Sequence, residues 1–168
     1  ASVTKIFIMA QTIPGEKDPQ ILVQIREFLN GLNNSGGKPM EEMAPEEARQ
    51  VLVDAQKSVD VDTSGITETV REITQGDITV NIHVVKPENT KDEKLPVFMF
   101  IHGGGWVLGD YPTHKRLVRD LVVNSGAAAV FVDYTPSPEA RYPVAIHEIY
   151  AATKWVSENG TEIGVDGA

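Results

Sequence analysis

The chain has 168 residues, 41% of them hydrophobic and 23% charged, which is an ordinary composition for a single globular domain. A formal net charge of −9 argues against a nucleic acid or an anionic membrane surface as a partner, because both attract basic protein faces. The chain has no cysteine, so disulfides, thiolate catalysis and cysteine-ligated metals are excluded, while the redox compartment stays open.

No apolar run approaches the ~20 residues that a membrane-spanning helix needs, so we expect no membrane span. The run at residues 6–10 is also too short for the core of a signal peptide. The sequence therefore favours the cytoplasm over secretion without fixing the compartment, and it does not reveal the oligomeric state.

The first part of the chain, residues 1–66, is polar with helical patterns, and we interpret it as a helical cap. One helix is predicted over residues 18–32, with Asp18 as its N-cap and apolar residues on one face. A second helix is predicted from Pro45 to about Val59, because acidic residues fill its first turn and apolar residues recur at helical spacing. Both apolar faces need a partner surface, and we expect them to cover the mouth of a pocket.

From residue 67 the pattern changes to alternating strands and helices. Residues 70–74 and 78–84 flank Gly76 and Asp77, and the second segment alternates strictly between apolar and polar side chains. This arrangement predicts an antiparallel β-hairpin.

Two continuous apolar runs follow, at residues 96–101 and 127–132, and both are typical of strands covered on both faces. A helix predicted at residues 115–124 joins them, so we expect two neighbouring parallel strands. A last helix opens at Pro143 and ends at Gly160. The order predicts an α/β fold in which the antiparallel hairpin leads into a parallel sheet flanked by helices.

The predicted sheet is not closed at its parallel edge. Residues 164–168 follow the last helix and lead towards a strand that the sequence does not supply. A sheet built only from the predicted strands would expose an apolar edge, which favours aggregation. We therefore interpret residues 67–168 as the first half of a core that needs a C-terminal half as its partner.

The most informative motif is a run of three glycines directly after the first buried strand. Gly103, Gly104 and Gly105 follow His102 and precede Trp106. Successive glycines let the backbone turn sharply, so that its N–H groups can converge on one developing negative oxygen, as in an oxyanion hole. A glycine-rich loop used only for tight packing is the alternative. A dinucleotide fingerprint or a P-loop does not fit, because the loop neither runs straight into a helix nor ends in Lys-Ser/Thr.

The motifs in this part of the chain, taken in order, resemble those of the hormone-sensitive-lipase-like family of α/β-hydrolases. Members of that family carry HGGG followed by an aromatic residue, then a GA…VDYR-x-x-PE segment, then a P-x-A opening of the next helix. The corresponding segments here are residues 102–106, 126–139 and 142–145, and residues 43–49 are similar to the family's cap region. The resemblance implies the N-terminal part of an α/β-hydrolase fold. It also implies hydrolysis of small esters of short to medium acyl length, with no metal and no organic cofactor.

The resemblance assigns roles to the glycine loop. It implies that the amides of Gly103, Gly104 and Gly105 form the oxyanion hole. We interpret His102 as a structural residue that orients the loop through a ring hydrogen bond, and Trp106, placed beside the glycines, either borders the substrate or belongs to the core. The resemblance also implies a catalytic serine in G-x-S-x-G followed by an aspartate and a histidine, and no serine or histidine of this chain matches those positions. The catalytic triad is therefore expected outside this chain, and the chain alone is expected to be inactive.

Other residues depart from the family pattern or carry weaker signals. Thr135 stands where the family usually has arginine, and Pro136-Ser137 replaces its Leu-Ala, which puts the bracing of this loop in doubt. His147 and Glu148 are adjacent, but no third ligand has suitable spacing, so we expect no metal site. Asp133 lies at the C-terminal rim of a strand, and we interpret it as structural because the family's catalytic aspartate comes later.

Two functions fit these observations. The first is a carboxylic ester hydrolase of the serine esterase or lipase type, to which this chain supplies the oxyanion-hole loop and the cap. The second is a complete, non-catalytic α/β binding module that retains the glycine loop. A reading frame that continues into G-x-S-x-G would favour the enzyme, and a stop codon after Ala168 would favour the module.

Overall fold

A computed structural model describes residues 14–90 and 94–167. The apolar run at residues 6–10 lies outside the described residues. The chain divides into two compact units, residues 1–42 and residues 43–168. Within the described ranges, no helix combines the length and the apolar character that crossing a bilayer requires.

The first unit contains helix α1, Val23–Asn33, and two short 3₁₀ turns. The helix predicted over residues 18–32 is present, but its predicted start at Asp18 is wrong. The Asp18 carboxylate accepts a hydrogen bond from the Gln20 amide at 2.9 Å, so it closes a local turn instead of capping the helix. The helix begins after Leu22, and none of its residues is buried.

The second unit alternates helices and strands in the predicted order. Its elements are α2 (Pro45–Lys57), β1 (Ile66–Gln75), β2 (Ile78–Pro87), β3 (Leu95–Phe100), α3 (Tyr111–Ser125), β4 (Ala128–Asp133), α4 (Val144–Asn159) and β5 (Val165–Asp166). Helix α2 begins at Pro45, as predicted. Helix α3 begins earlier than the predicted Lys115, because the Asp110 carboxylate caps it by accepting the Thr113 amide at 2.9 Å.

The five strands form one mixed sheet in the order β1-β2-β4-β3-β5. Strands β1 and β2 pair antiparallel around the predicted turn, and β2 also pairs antiparallel with β4. Strands β3 and β4 pair parallel, and α3 connects them along the chain. The prediction that the two apolar runs are neighbouring parallel strands joined by a helix is confirmed.

The core lies on both faces of β4. Every residue from Ala128 to Val132 has 0% of its surface exposed, as a strand covered on both faces requires. Helix α4 covers one face with Ala152, Trp155 and Val156, and helix α3 covers the other with Val118 and Val122. Strand β4 is therefore the rigid centre against which the neighbouring loops are placed.

A further strand does begin near the C-terminus, contrary to the expectation that none is supplied. Val165 and Asp166 of β5 pair parallel with Leu95 and Pro96 of β3. The rest of β3, Val97–Phe100, pairs only with β4 among the described residues, and its side chains are only partly buried. The parallel strands β3 and β4 end at the same edge of the sheet, so the segments that follow them, which include the glycine loop, meet there.

Candidate active site

The glycine loop leaves β3 and carries four consecutive amides with unused donors. The N–H groups of Gly103, Gly104, Gly105 and Trp106 donate no hydrogen bond to any residue in the described parts of the chain. All four residues are exposed. Unpaired backbone donors on a loop are what an external oxygen anion needs in order to bind.

The peptide planes that carry the three glycine amides are each held from the carbonyl side. The Tyr134 hydroxyl donates to the His102 carbonyl at 2.9 Å, and His102 Nδ1 donates to the Gly103 carbonyl at 2.8 Å. The Gly104 carbonyl accepts the amides of Val107 and Leu108 at 3.2 and 2.9 Å. Because a peptide group is planar, fixing a carbonyl also fixes the N–H of the next residue. The amides of Gly103, Gly104 and Gly105 are therefore preorganised.

His102 has the environment of an orienting residue. Its ring is 5% exposed and stacks on Tyr134 and Phe131, with centroids 4.3 and 5.3 Å away. Burial lowers the pKa of His102 below its usual value, so the ring is neutral at pH 7, and its proton lies on Nδ1 because a carbonyl only accepts. The hydrogen bond from this ring, predicted from the sequence, is present.

Gly104 occupies the tightest point of the loop. Its φ of +123° lies in a region that residues with a Cβ rarely adopt. A Cβ built on this residue would lie 2.0 Å from the Leu108 carbonyl oxygen. Only glycine fits this backbone, whereas a Cβ at Gly103 would meet nothing within 4 Å.

Trp106 lies directly beyond the glycines in the left-handed conformation, with φ of +65°. Its side chain is 47% exposed, and its ring centroid lies 5.5 Å from that of Tyr134. The Ser137 amide donates to the Trp106 carbonyl at 2.7 Å, so the loop after β4 holds this strained residue in place.

The loop after β4 is braced at Thr135 without the family's arginine. The Thr135 amide and hydroxyl donate to the two carboxylate oxygens of Glu148 at 2.6 and 2.8 Å. Glu148 lies on α4 and is 9% exposed. The carboxylate of Glu148 therefore braces this loop where the family usually has an arginine.

A second brace comes from α2. The Arg49 guanidinium donates to both carboxylate oxygens of Glu139, at 2.7 and 2.9 Å, and to two backbone carbonyls. This pairing holds the pKa of Glu139 at about 2, well below its usual value, chiefly through the hydrogen bonds from Arg49. Both partners therefore stay charged across the physiological pH range.

Two cavities border the glycine loop. The first, of 330 Å³, lies among the loop, α2 and α3, and its lining residues are Leu52, Gln56, Gly103, Gly104, Gly109, Thr113 and His114. The second, of 270 Å³, has Trp106 as one wall, and its other lining residues are Thr135, Ser137, Ala140, Arg141, Tyr142, Pro143, Ala145 and Ile146. The predicted site residues thus lie together at the rim of the sheet, next to space for a small molecule.

The remaining candidates do not form a second site. The side chain of Glu148 is used by Thr135, so it does not pair with His147 as a metal ligand would. In the described ranges, no group of three acidic or histidine residues has the geometry to hold a metal ion. Asp133 Oδ2 lies 4.0 Å from His83 Nε2, across the β2–β4 pair.

Comparison with known proteins agrees with this architecture. Residues 98–168 match a family described as alpha/beta hydrolase fold. A thermostable esterase from Pseudomonas putida ECU1011 is 60% identical in sequence and superposes with a TM-score of 0.81, over 84% of this chain and 44% of that protein. A hyperthermophilic esterase from the archaeon Pyrobaculum calidifontis is 29% identical, with a TM-score of 0.73 over 87% of this chain and 46% of that one.

Esterase LipI of Mycobacterium tuberculosis is 40% identical over 88 residues, which are 52% of this chain and 28% of that protein. The chain therefore has the α/β-hydrolase fold. Its motifs resemble those of the hormone-sensitive-lipase-like family within that fold, and the three relatives named here are esterases. It spans less than half the length of each of these relatives.

Two residues of the site, Arg49 and Glu148, carry no local sequence signal of their roles. Arg49 lies in the segment that resembles the family's cap region, but nothing local marks it as a partner of a loop 58 residues away. Glu148 follows a histidine on a helix, a pattern that suggests a metal ligand and gives no sign of the hydrogen bonds from Thr135. In both cases the only available signal was a charged residue on a helix face that also carries apolar residues.

Proposed function

We propose that the chain supplies the oxyanion-hole half of a serine carboxylesterase, and that the nucleophile lies outside these 168 residues. The observation that carries the proposal is the run of unpaired amides at Gly103, Gly104 and Gly105, each on a peptide plane fixed from its carbonyl side. Fixed donors of this kind stabilise negative charge without having to reorganise as it develops.

In the proposed reaction, a serine hydroxyl attacks the carbonyl carbon of an ester while a histidine base takes its proton. The carbonyl oxygen becomes an oxyanion, which accepts hydrogen bonds from the glycine-loop amides. The alcohol leaves with the proton from the histidine, and water then hydrolyses the acyl-enzyme to the acid and free serine. His102 is not the base in this scheme, because its ring is buried and stacked on Tyr134 and Phe131, away from an incoming ester.

The substrate we propose is a small carboxylic ester, and the partner is the C-terminal half of the same enzyme. The cavities of 330 and 270 Å³ beside the loop are of a size for short to medium acyl or alcohol groups. The division into a cap at residues 1–66 and a core at residues 67–168 belongs to this proposal, supported by α2 residues that line the first cavity. A cytoplasmic location also belongs to this proposal.

The test is hydrolysis of p-nitrophenyl butyrate by three samples. These are the 168-residue chain alone, the full reading frame that contains it, and the chain mixed with the separately expressed remainder. We expect turnover by the second and third samples and only background hydrolysis by the first. Robust turnover by the chain alone would reveal a nucleophile within it, and no turnover by the full protein would overturn the proposed activity.

A further inference from the structure

We propose that Arg49 is a positioning residue for the amide donors of the glycine loop, which makes helix α2 part of the catalytic apparatus. This inference rests on the proposed ester hydrolysis, since it assigns the residue that aligns the oxyanion donors. It starts from the four hydrogen bonds of one guanidinium group.

The Arg49 guanidinium joins helix α2 to two other segments of the second unit, the end of the glycine loop and the loop after β4. Its Nε donates to the Val107 carbonyl at 2.8 Å, and its Nη2 donates to the Ser137 carbonyl at 2.9 Å. Its Nη1 and Nη2 also bind the Glu139 carboxylate in a bidentate pair. The planar fork of arginine makes these contacts together, which the single ammonium group of lysine cannot do.

The contact with Val107 reaches the glycine amides through two peptide planes. The Val107 carbonyl lies in the same plane as the Leu108 N–H, so the bond from Arg49 fixes the direction of that N–H. The Leu108 N–H donates to the Gly104 carbonyl at 2.9 Å, and the Gly104 carbonyl shares its plane with the Gly105 N–H. Arg49 therefore fixes the direction of the Gly105 donor.

The contact with Ser137 acts on the same loop from its other side. Ser137 donates its own amide to the Trp106 carbonyl at 2.7 Å while its carbonyl accepts from Arg49. Trp106 has a left-handed backbone, which is unfavourable for a residue with a Cβ and persists only where neighbours hold it. The carbonyls of Trp106 and Val107, which follow the glycines directly, are thus held by Ser137 and Arg49.

Glu139 has a lesser role in this arrangement. It orients the guanidinium but makes no hydrogen bond to the glycine loop in the described residues. Removing Glu139 leaves the bonds from Arg49 to the Val107 and Ser137 carbonyls in place. A purely structural ion pair would make the two residues equally important, whereas a positioning role makes Arg49 the more important one.

The chain offers a matched control in Arg119 on α3. Arg119 Nε donates to the Ser64 carbonyl at 2.7 Å, and its Nη2 pairs with Asp62 at 3.2 Å. The Arg119 side chain is 18% exposed and the Arg49 side chain is 26% exposed, so the two are similarly shielded from water. Both also donate hydrogen bonds to backbone carbonyls. Arg119 holds a segment before β1, and its hydrogen bonds within the described residues do not reach the glycine loop.

The experiment measures kcat, KM and the melting temperature of the full-length enzyme carrying Arg49→Ala, Arg49→Lys, Glu139→Gln or Arg119→Ala. We expect kcat to fall by about 10- to 100-fold in Arg49→Ala and Arg49→Lys, with KM within about threefold, because the donors act mainly on the oxyanion. We expect Arg119→Ala to keep kcat within about threefold. Glu139→Gln should lower kcat less than Arg49→Ala does, because the bonds from Arg49 to the Val107 and Ser137 carbonyls remain. Arg119→Ala should lower the melting temperature without lowering kcat.

Chemical rescue separates positioning from general stability. Ethylguanidinium at millimolar concentration should restore kcat of Arg49→Ala several-fold, whereas ethylammonium should not, because only the fork reaches both carbonyls. Wild-type kcat in Arg49→Ala, or equal rescue by the two cations, would overturn this inference while the proposed function stands. An inactive wild-type enzyme would instead overturn the proposed function. If Arg49→Ala does not fold, Arg49→Lys decides, and full kcat there would contradict the fork.

Discussion

The substitution Gly104→Ala tests the glycine loop directly, because the structure shows what the added methyl group would meet. The new Cβ would lie 2.0 Å from the Leu108 carbonyl oxygen and 2.6 Å from its carbon. Real contacts of this kind are at least about 3 Å, so the loop must move by about 1 Å, and alanine also resists a φ of +123°. A misplacement of about 1 Å at a catalytic donor costs about 100-fold in rate.

We therefore expect Gly104→Ala to lower kcat of the full-length enzyme by about 100-fold or more, with little change in KM. The assay is steady-state hydrolysis of p-nitrophenyl butyrate, together with urea denaturation to confirm folding. The control is Gly126→Ala at the end of α3. Gly126 also has a positive φ, of +72°, but a Cβ there meets nothing within 4 Å.

Gly126→Ala should lower stability by about 1 kcal/mol and leave kcat unchanged, because it strains a helix end away from the site. If Gly104→Ala kept kcat within about threefold of wild type, the reasoning that ties this loop to the oxyanion would be refuted. Equal losses of kcat in the two variants would refute it as well, since strain alone would then explain the effect.

Three further substitutions test the surroundings of the loop. Trp106→Ala should change the ratio of kcat/KM for butyrate and octanoate esters by about 1–3 kcal/mol per misfitted methylene. The melting temperature should stay nearly unchanged, because the ring is half exposed. Collapsed stability with an unchanged ratio would place the ring in the core. Tyr134→Phe keeps the ring but leaves the buried His102 carbonyl without its hydrogen-bond donor. Urea denaturation should therefore show that the free energy of unfolding falls by about 1–3 kcal/mol, and kcat should fall as well. Unchanged values of both would argue against this hydrogen bond as an anchor of the loop. Glu139 has a depressed pKa of about 2 against 4.5 ordinarily, so its contribution to stability is present above pH 4.5 and is lost as the pH falls towards 2. The acid unfolding curve of Glu139→Gln should lack this loss of stability. Superimposable curves for the variant and the wild type would contradict the pairing with Arg49.

The sequence predicted the strands and the glycine loop because their signals are local. The short run of apolar residues in β4 is typical of a strand covered on both faces, and three glycines after a strand allow few uses. The left-handed end of α3 at Gly126 follows in the same way from one residue type. Each of these features is decided within about ten residues of chain.

The braces of the site could not be predicted, because they join residues far apart in sequence. Arg49 binds a carboxylate 90 residues away, and Glu148 binds Thr135 only because α4 packs beside the end of β4. The start of α1 was misplaced for a related reason, since the Asp18 side chain can cap a helix or close a turn, and the local sequence fits both. Side chains with two comparable local uses are decided by tertiary contacts.

The most direct test of the account is a crystal structure of the full-length enzyme inactivated by a p-nitrophenyl alkylphosphonate, whose phosphonyl oxygen occupies the position of the oxyanion. The account predicts that this oxygen lies about 2.7–3.1 Å from the amide nitrogens of the glycine loop, Gly104 and Gly105 among them, with the phosphorus bound to a serine outside this chain. A phosphonyl oxygen that faced away from these amides, or an adduct on a serine within these 168 residues, would contradict it.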